Sequence, residues 1–121
     1  VAENIGEKAV RCLRLLESYD FTGVQEMCTE TATVWHNDGS GEQLMGEKLE
    51  QLRLLVGGVR SLRYEIIRQF FDSDEVLQQQ VLRAITADGT VNEIHATMYF
   101  RFDGGLIDRI EEYSYAVPAG R

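Results

Sequence analysis

Two histidines, His36 and His95, supply the imidazoles of this 121-residue chain. Imidazole is the side chain best suited to exchange a proton near neutral pH, so these two positions are the first candidates for acid–base chemistry. They are far apart in sequence and fall on faces expected to differ, which gives no metal-ligand spacing, and no metal is implied. His36 closes a β-branched stretch, where it is either a base or a polar residue finishing a strand. Cys12 and Cys28 fall in what read as two different helices. Cys12, on the apolar stripe of its helix with Arg11 merely adjacent, reads as core or cavity wall and not as a nucleophile. The pair is expected to be free, buried and kept in a reducing compartment, the cytoplasm. Asp38 reads as a turn residue. Gly39 and Gly41 are not followed by Lys-Ser/Thr, so they make no phosphate loop, and no cofactor motif is present.

The elements that must position these groups follow from periodicity. Ile5, Ala9, Cys12, Leu13 and Leu16 recur at helical spacing, which predicts an amphipathic helix over 3–18. Asp20 is placed to cap a short helix holding Phe21, Val24 and Met27. Thr31 to His36 reads as a short strand, 37–41 as a polar loop, and Leu44 to Val56 as a third helix stopped by Gly57-Gly58. Ser61–Phe71, Glu75–Thr86, Val91–Phe102 and Leu106–Tyr115 alternate as strands, with Asp88-Gly89 and Asp103-Gly104-Gly105 as tight turns. Along the third of these, Ile94, Ala96, Met98, Phe100 and Phe102 share one face, and His95, Thr97, Tyr99 and Arg101 the other. That places His95 on an outer surface. Helices segregated from a strand meander give an α+β fold.

Composition bounds the partners. Apolar residues make up 44% and charged residues 26%, a globular composition, and nothing divides residues 1–121 into more than one domain. The formal net charge of −8 argues against nucleic acid and anionic membranes. No apolar run reaches the length of a bilayer span, and the first residues lack the apolar core of a signal peptide, so a cytoplasmic protein is expected.

Several segments together resemble a known superfamily. They are Tyr19-Asp20-Phe21-Thr22-Gly23-Val24, then Ala32-Thr33-Val34-Trp35-His36-Asn37, the helix start Gly46-Glu47-Lys48-Leu49, and Phe100-Arg101-Phe102-Asp103-Gly104 through Ile110-Glu111-Glu112-Tyr113. Their order resembles the SnoaL-like, polyketide-cyclase-like branch of the nuclear-transport-factor-2-like superfamily, whose relatives include ketosteroid isomerase and limonene-epoxide hydrolase. The resemblance implies a cystatin-like cone, with three N-terminal helices packed on a strongly curved, mostly antiparallel sheet that encloses a hydrophobic pocket. It also implies a homodimer through the outer sheet face. It places His36 where the isomerases keep their base, and Cys12 and Met98 where they keep two oxyanion donors. A thiol is a weak donor and a thioether none, so ordinary steroid isomerisation does not follow. The hydrolase's Asp-Arg-Asp cluster falls near Gln78, Gln80 and Glu112, of which only Glu112 is ionisable. Alternation alone does not decide whether Glu111 or Glu112 faces inward.

The expected site is therefore His36 as base and Glu112 as its orienting partner, with Gln78, Gln80, Met98, Cys12, Trp35 and Phe100 around the substrate. The expected reaction is cofactor-independent proton transfer, of isomerase, dehydratase or cyclase type, on an apolar oxygenated metabolite, a small hydrophobic molecule. Two other readings stand beside it. One is a non-catalytic binder of a similar molecule, and the other a dimeric assembly domain working through its outer sheet.

Overall fold

In the computed structural model, which describes residues 2–118, a capping box starts the first helix. Asn4 Oδ1 accepts from the Glu7 N–H at 2.8 Å, and the Glu7 carboxylate accepts from the Asn4 N–H at 3.0 Å. Helix α1 (Ile5–Glu17) buries Ala9, Cys12 and Leu13 along one face, the stripe its periodicity predicts. It ends in a Schellman turn, in which Tyr19 N–H donates to the Leu16 carbonyl and Asp20 N–H to that of Leu15. Tyr19 takes the left-handed position of that turn, at φ 60°, where a side chain costs about 1–2 kcal/mol relative to glycine. Its hydroxyl reaches the Val59 carbonyl at 3.2 Å, and its ring centroid lies 6.4 Å from that of Phe21. Asp20 then caps α2 (Phe21–Glu26) by accepting from the Gly23 N–H at 2.8 Å.

Here the chain departs from the sequence reading. The first strand, β1 (Cys28–His36), begins earlier than expected, so Cys28 stands in a strand and not in a helix. The second departure is β2 (Gly41–Leu44), which was expected to be loop and helix start. Its Gly-Glu-Gln-Leu has no alternation to read. It forms because the open edge of β1 offers main-chain partners, from His36 opposite Gly41 to Thr33 opposite Leu44. Helix α3 (Met45–Leu55) and a 3-10 turn, Val56–Gly58, lead into four long strands. These are β3 (Val59–Asp72), β4 (Glu75–Thr86), β5 (Val91–Asp103) and β6 (Leu106–Ala116). Gly104 and Gly105 both take positive φ between β5 and β6, as a tight hairpin turn requires.

The strands form one six-stranded sheet in the order β2-β1-β6-β5-β4-β3, antiparallel except for the β1–β6 pair. Register breaks between Cys28 and Thr33 and between Ile66 and Arg68 bend the sheet, which curls without closing. The three helices fill its concave side, and this is the α+β cone that the resemblance implies. α1 comes so close to β3 that a Cβ on Gly6 would lie 2.5 Å from Gln69 Oε1.

Strand register arranges the inner face in cross-strand rows. Val76, Phe100, Ile110 and Val34 form one row, buried deep in the cone. The next contains Gln69, Gln78, Met98, Glu112 and His36. Nearer the open end lie Ile66, Gln80, Ala96 and Ser114, and then Tyr64, Leu82 and Ile94. A mostly polar row, interrupted by Met98, thus crosses five strands above a wholly apolar one.

Candidate functional site

His36 and Glu112 meet in that polar row. They are register partners across the parallel β1–β6 pair, and His36 Nε2 lies 2.7 Å from Glu112 Oε1. Both side chains are 19% exposed, so the contact is shielded without being sealed from solvent. Ile110, nearly fully buried, settles which glutamate faces inward: counting by twos along β6 brings Glu112 and Ser114 to the same side. Glu111 faces outward and pairs with Arg109 at 2.7 Å.

The next residue fixes this geometry. Asn37 donates its main-chain N–H to the Glu112 carbonyl at 3.2 Å. Its side-chain amide then donates to the Ser114 carbonyl and accepts from the Ser114 N–H, both at 3.1 Å. The amide imitates one more main-chain rung beyond the end of β1, and so clamps His36 against Glu112.

Both residues line a cavity of about 220 Å³ inside the cone. Val34, Met45, Leu49, Met98 and Ile110 supply apolar wall, and Cys12 and Leu16 come from α1. Three further polar groups face the same space: Lys48, Tyr64 and Ser114. Burial, and then the Glu112 carboxylate, hold the Tyr64 phenol above its ordinary pKa, so it remains a hydroxyl donor at any physiological pH. Tyr64 sits on an edge strand, where side chains of α1 satisfy its own free main-chain groups. Its N–H donates to Glu17 at 2.7 Å, and its carbonyl accepts from Arg14 at 2.8 Å. Burial also pushes the Cys12 thiol up to about 12, which leaves it a neutral wall residue.

The other expected site residues are dispersed. Cys12 and Met98 line the cavity, but Gln78 and Gln80 are held away from it in a buried amide chain. Gln69 donates to the Gly6 carbonyl and to Gln78 Oε1, Gln78 to Gln80 Oε1 at 2.7 Å, and Gln80 to Met98 Sδ at 3.2 Å. The glutamines therefore support the wall from behind. Phe100 lies one row deeper and is fully buried. Trp35, one residue before His36, faces the opposite side of the sheet, where its ring centroid lies 5.0 Å from that of Tyr113. One residue of displacement along a strand reverses the face, so Trp35 is removed from the cavity by the same geometry that admits His36.

Lys48 and Ser114 were not anticipated, although the sequence holds a signal for each. Met45, Lys48, Leu49 and Leu52 follow the i, i+3, i+4, i+7 spacing, which puts the lysine on the buried face of α3. Ser114 follows Ile110 and Glu112 by twos. Among the described residues, Lys48 makes no ion pair.

A larger concavity, about 470 Å³, lies on the outer face between Ile67, Arg68, Val81, His95, Tyr113 and Tyr115. It is a shallow, open trough. The inner cavity is smaller, but its enclosure and converging polar groups make it the better chemical site. His95, on the outer face as expected, pairs with Glu93 at 3.0 Å and packs on Tyr115. Among the described residues, three or more metal-ligating side chains nowhere cluster, and no helix is long and apolar enough to cross a membrane.

No family model matches the sequence, and no curated protein matches it. Solved structures do match the fold. An LEH-like epoxide hydrolase from M. tuberculosis superposes with a TM-score of 0.75 at 22% identity, covering 89% of this chain and 80% of that one. An NTF2-like protein of unknown function from Burkholderia pseudomallei gives 0.75 at 15% identity, covering 91% and 90%. A presumed isomerase from Rhodopseudomonas palustris gives 0.78 at 15% identity, covering 94% and 91%. At such identities the likeness is one of fold.

Proposed function

We propose that this chain of nuclear-transport-factor-2-like fold is a SnoaL-like enzyme that moves a proton at an activated carbon of an apolar, oxygenated small molecule. The observation that carries this reading is the 2.7 Å contact of His36 with Glu112 inside a mostly apolar cavity. Glu112 keeps the proton on Nε2, leaving Nδ1 with its lone pair as the general base. His36 removes a proton from the carbon next to a carbonyl, and the C–H bonding electrons move through the new C=C bond onto the carbonyl oxygen. Tyr64 and Lys48 supply a hydroxyl and an ammonium group to that developing oxyanion. They stand in for the donors that Cys12 and Met98 do not provide. The enolate then takes the proton back at another carbon, expels a β-leaving group, or attacks a second carbonyl. These outcomes are those of an isomerase, a dehydratase and a cyclase.

Epoxide hydrolysis fits less well, because it asks for an ionised Asp-Arg-Asp cluster where Gln78 and Gln80 form a neutral amide chain. A binder without turnover is the second reading, favoured by the thioether and the inert thiol in the wall. The remaining parts of the proposal are a single domain, a reducing cytoplasm suited to two free buried cysteines, and a homodimer through the outer face. The dimer is supported by Tyr113 and Tyr115, 53% and 63% exposed there.

The test is solvent deuterium uptake at the α-carbon of butanone and cyclohexenone, followed by NMR in heavy water. The wild-type chain accelerates uptake, His36→Gln removes the acceleration, and His95→Gln keeps it. Uptake at the uncatalysed rate in all three leaves the binder.

A further inference from the structure

The inner cavity does not end at Tyr64. A second recess of about 180 Å³ continues beyond it, between the end of α3 and the start of β3. The two spaces share four walls: Leu16, Leu52, Tyr64 and Leu82. Their chemistry differs sharply. The first space contains His36, Lys48, Glu112 and Ser114. The second is walled by hydrocarbon, including Phe21, Leu55, Val59 and Leu62, and the hydroxyl of Tyr19 on its border is already taken by the Val59 carbonyl.

The recess is also built at a conformational cost. Tyr19 stands at a left-handed turn position that glycine would occupy without strain. Its ring forms part of the recess wall, and its hydroxyl ties the start of β3 to the end of α1. At the rim Leu55 is 64% exposed, an apolar lip at the end of α3.

We propose that the natural ligand is an amphiphile, with a carbonyl-bearing head at the His36–Glu112 contact and an unbranched alkyl tail that passes Tyr64 into this recess. The proposal rests on the inner cavity receiving the head, and it adds the substrate class. A tail leaving water for hydrocarbon walls tightens binding about fourfold per methylene. The gain stops when the recess is full.

Methyl ketones from butanone to dodecan-2-one provide the test, titrated into the full chain and followed by NMR. Affinity is expected to rise about fourfold per methylene and then level off. Leu62→Trp, which fills the recess, flattens this dependence and leaves butanone binding unchanged. Leu55→Glu changes an exposed rim position that the fold tolerates, and it weakens only the longer ketones. Affinity independent of length overturns the proposal, as does equal weakening of short and long ketones by both variants. So do shifts centred on Tyr113 and Tyr115 of the outer trough. Length dependence without α-proton exchange keeps the amphiphile site and discards the enzyme. Exchange without length dependence does the reverse.

Discussion

The molecule contains two histidine–glutamate pairs, one on each face of the same sheet. His36 meets Glu112 at 2.7 Å across two strands, and both side chains are 19% exposed. His95 meets Glu93 at 3.0 Å within one strand, with 40% and 39% exposed. The outer pair lies open to water and shares Glu93 with Arg83. The inner pair is clamped by Asn37, backed by apolar rows and joined by Lys48, Tyr64 and Ser114. The same two residue types make a candidate site only where the fold encloses them. Water screens the outer contact and competes for every proton it could move, while the inner contact lies in a partly desolvated space.

The largest expected difference between the faces is catalytic. His36→Gln should slow α-proton exchange by about 10²–10⁴-fold, the usual worth of a positioned acid–base group. His95→Gln should leave it unchanged. Glu112→Gln should fall between them, because the base remains but loses its orienting partner. Equal losses from the two histidine variants would erase the distinction.

The next difference concerns stability. Phe100, fully buried in the deepest row, should cost about 3–5 kcal/mol on replacement by alanine. Phe70, 67% exposed on β3, should cost about 0.5 kcal/mol or less. Urea unfolding of both variants measures this. Adjacent residues Gln78 and Gln79 sharpen the same contrast on a smaller scale. Gln78→Leu breaks the amide chain: Gln69 keeps only its bond to the Gly6 carbonyl, and the buried Gln80 Oε1 loses its donor, at about 1–3 kcal/mol. Gln79→Leu loses only an exposed contact with Arg68, and its unfolding midpoint should hardly move.

How much of this was legible in the sequence depended on the kind of signal. Long alternating strands and the α1 stripe were readable because burial imposes a period. β2 was not, because it is held by main-chain partners that leave no side-chain pattern. Trp35 was assigned to the cavity by residue type and lost by parity, whereas His36 lies on the face that resemblance implied. Gln78 and Gln80 do face inward, but their amides are satisfied by each other and by their neighbours, which a strand pattern cannot reveal. Lys48 was readable from helical spacing, though a charged residue on a buried stripe invites the assumption that it points to water.

The last expected effect is one of pH, confined to alkaline solution. Burial raises both thiols from 9.0 to about 12 in the folded chain. Above about pH 9 the unfolded chain releases these protons while the folded chain retains them, so the folded state binds more protons and stability falls as pH rises towards 12. The slope is about 1 kcal/mol per pH unit for each thiol, with native-state alkylation negligible at neutral pH. Denaturant titrations at stepped pH, compared with Cys12→Ala and Cys28→Ala, isolate it.

The most direct test observes both imidazoles at once. ¹⁵N-labelled histidine spectra, recorded as nonan-2-one is titrated into the full chain, should show the His36 ring nitrogens shifting while those of His95 stay fixed, and Glu112→Gln should alter the His36 response alone. If His95 responds and His36 does not, the working face is the outer one, and the inner cavity is not the site.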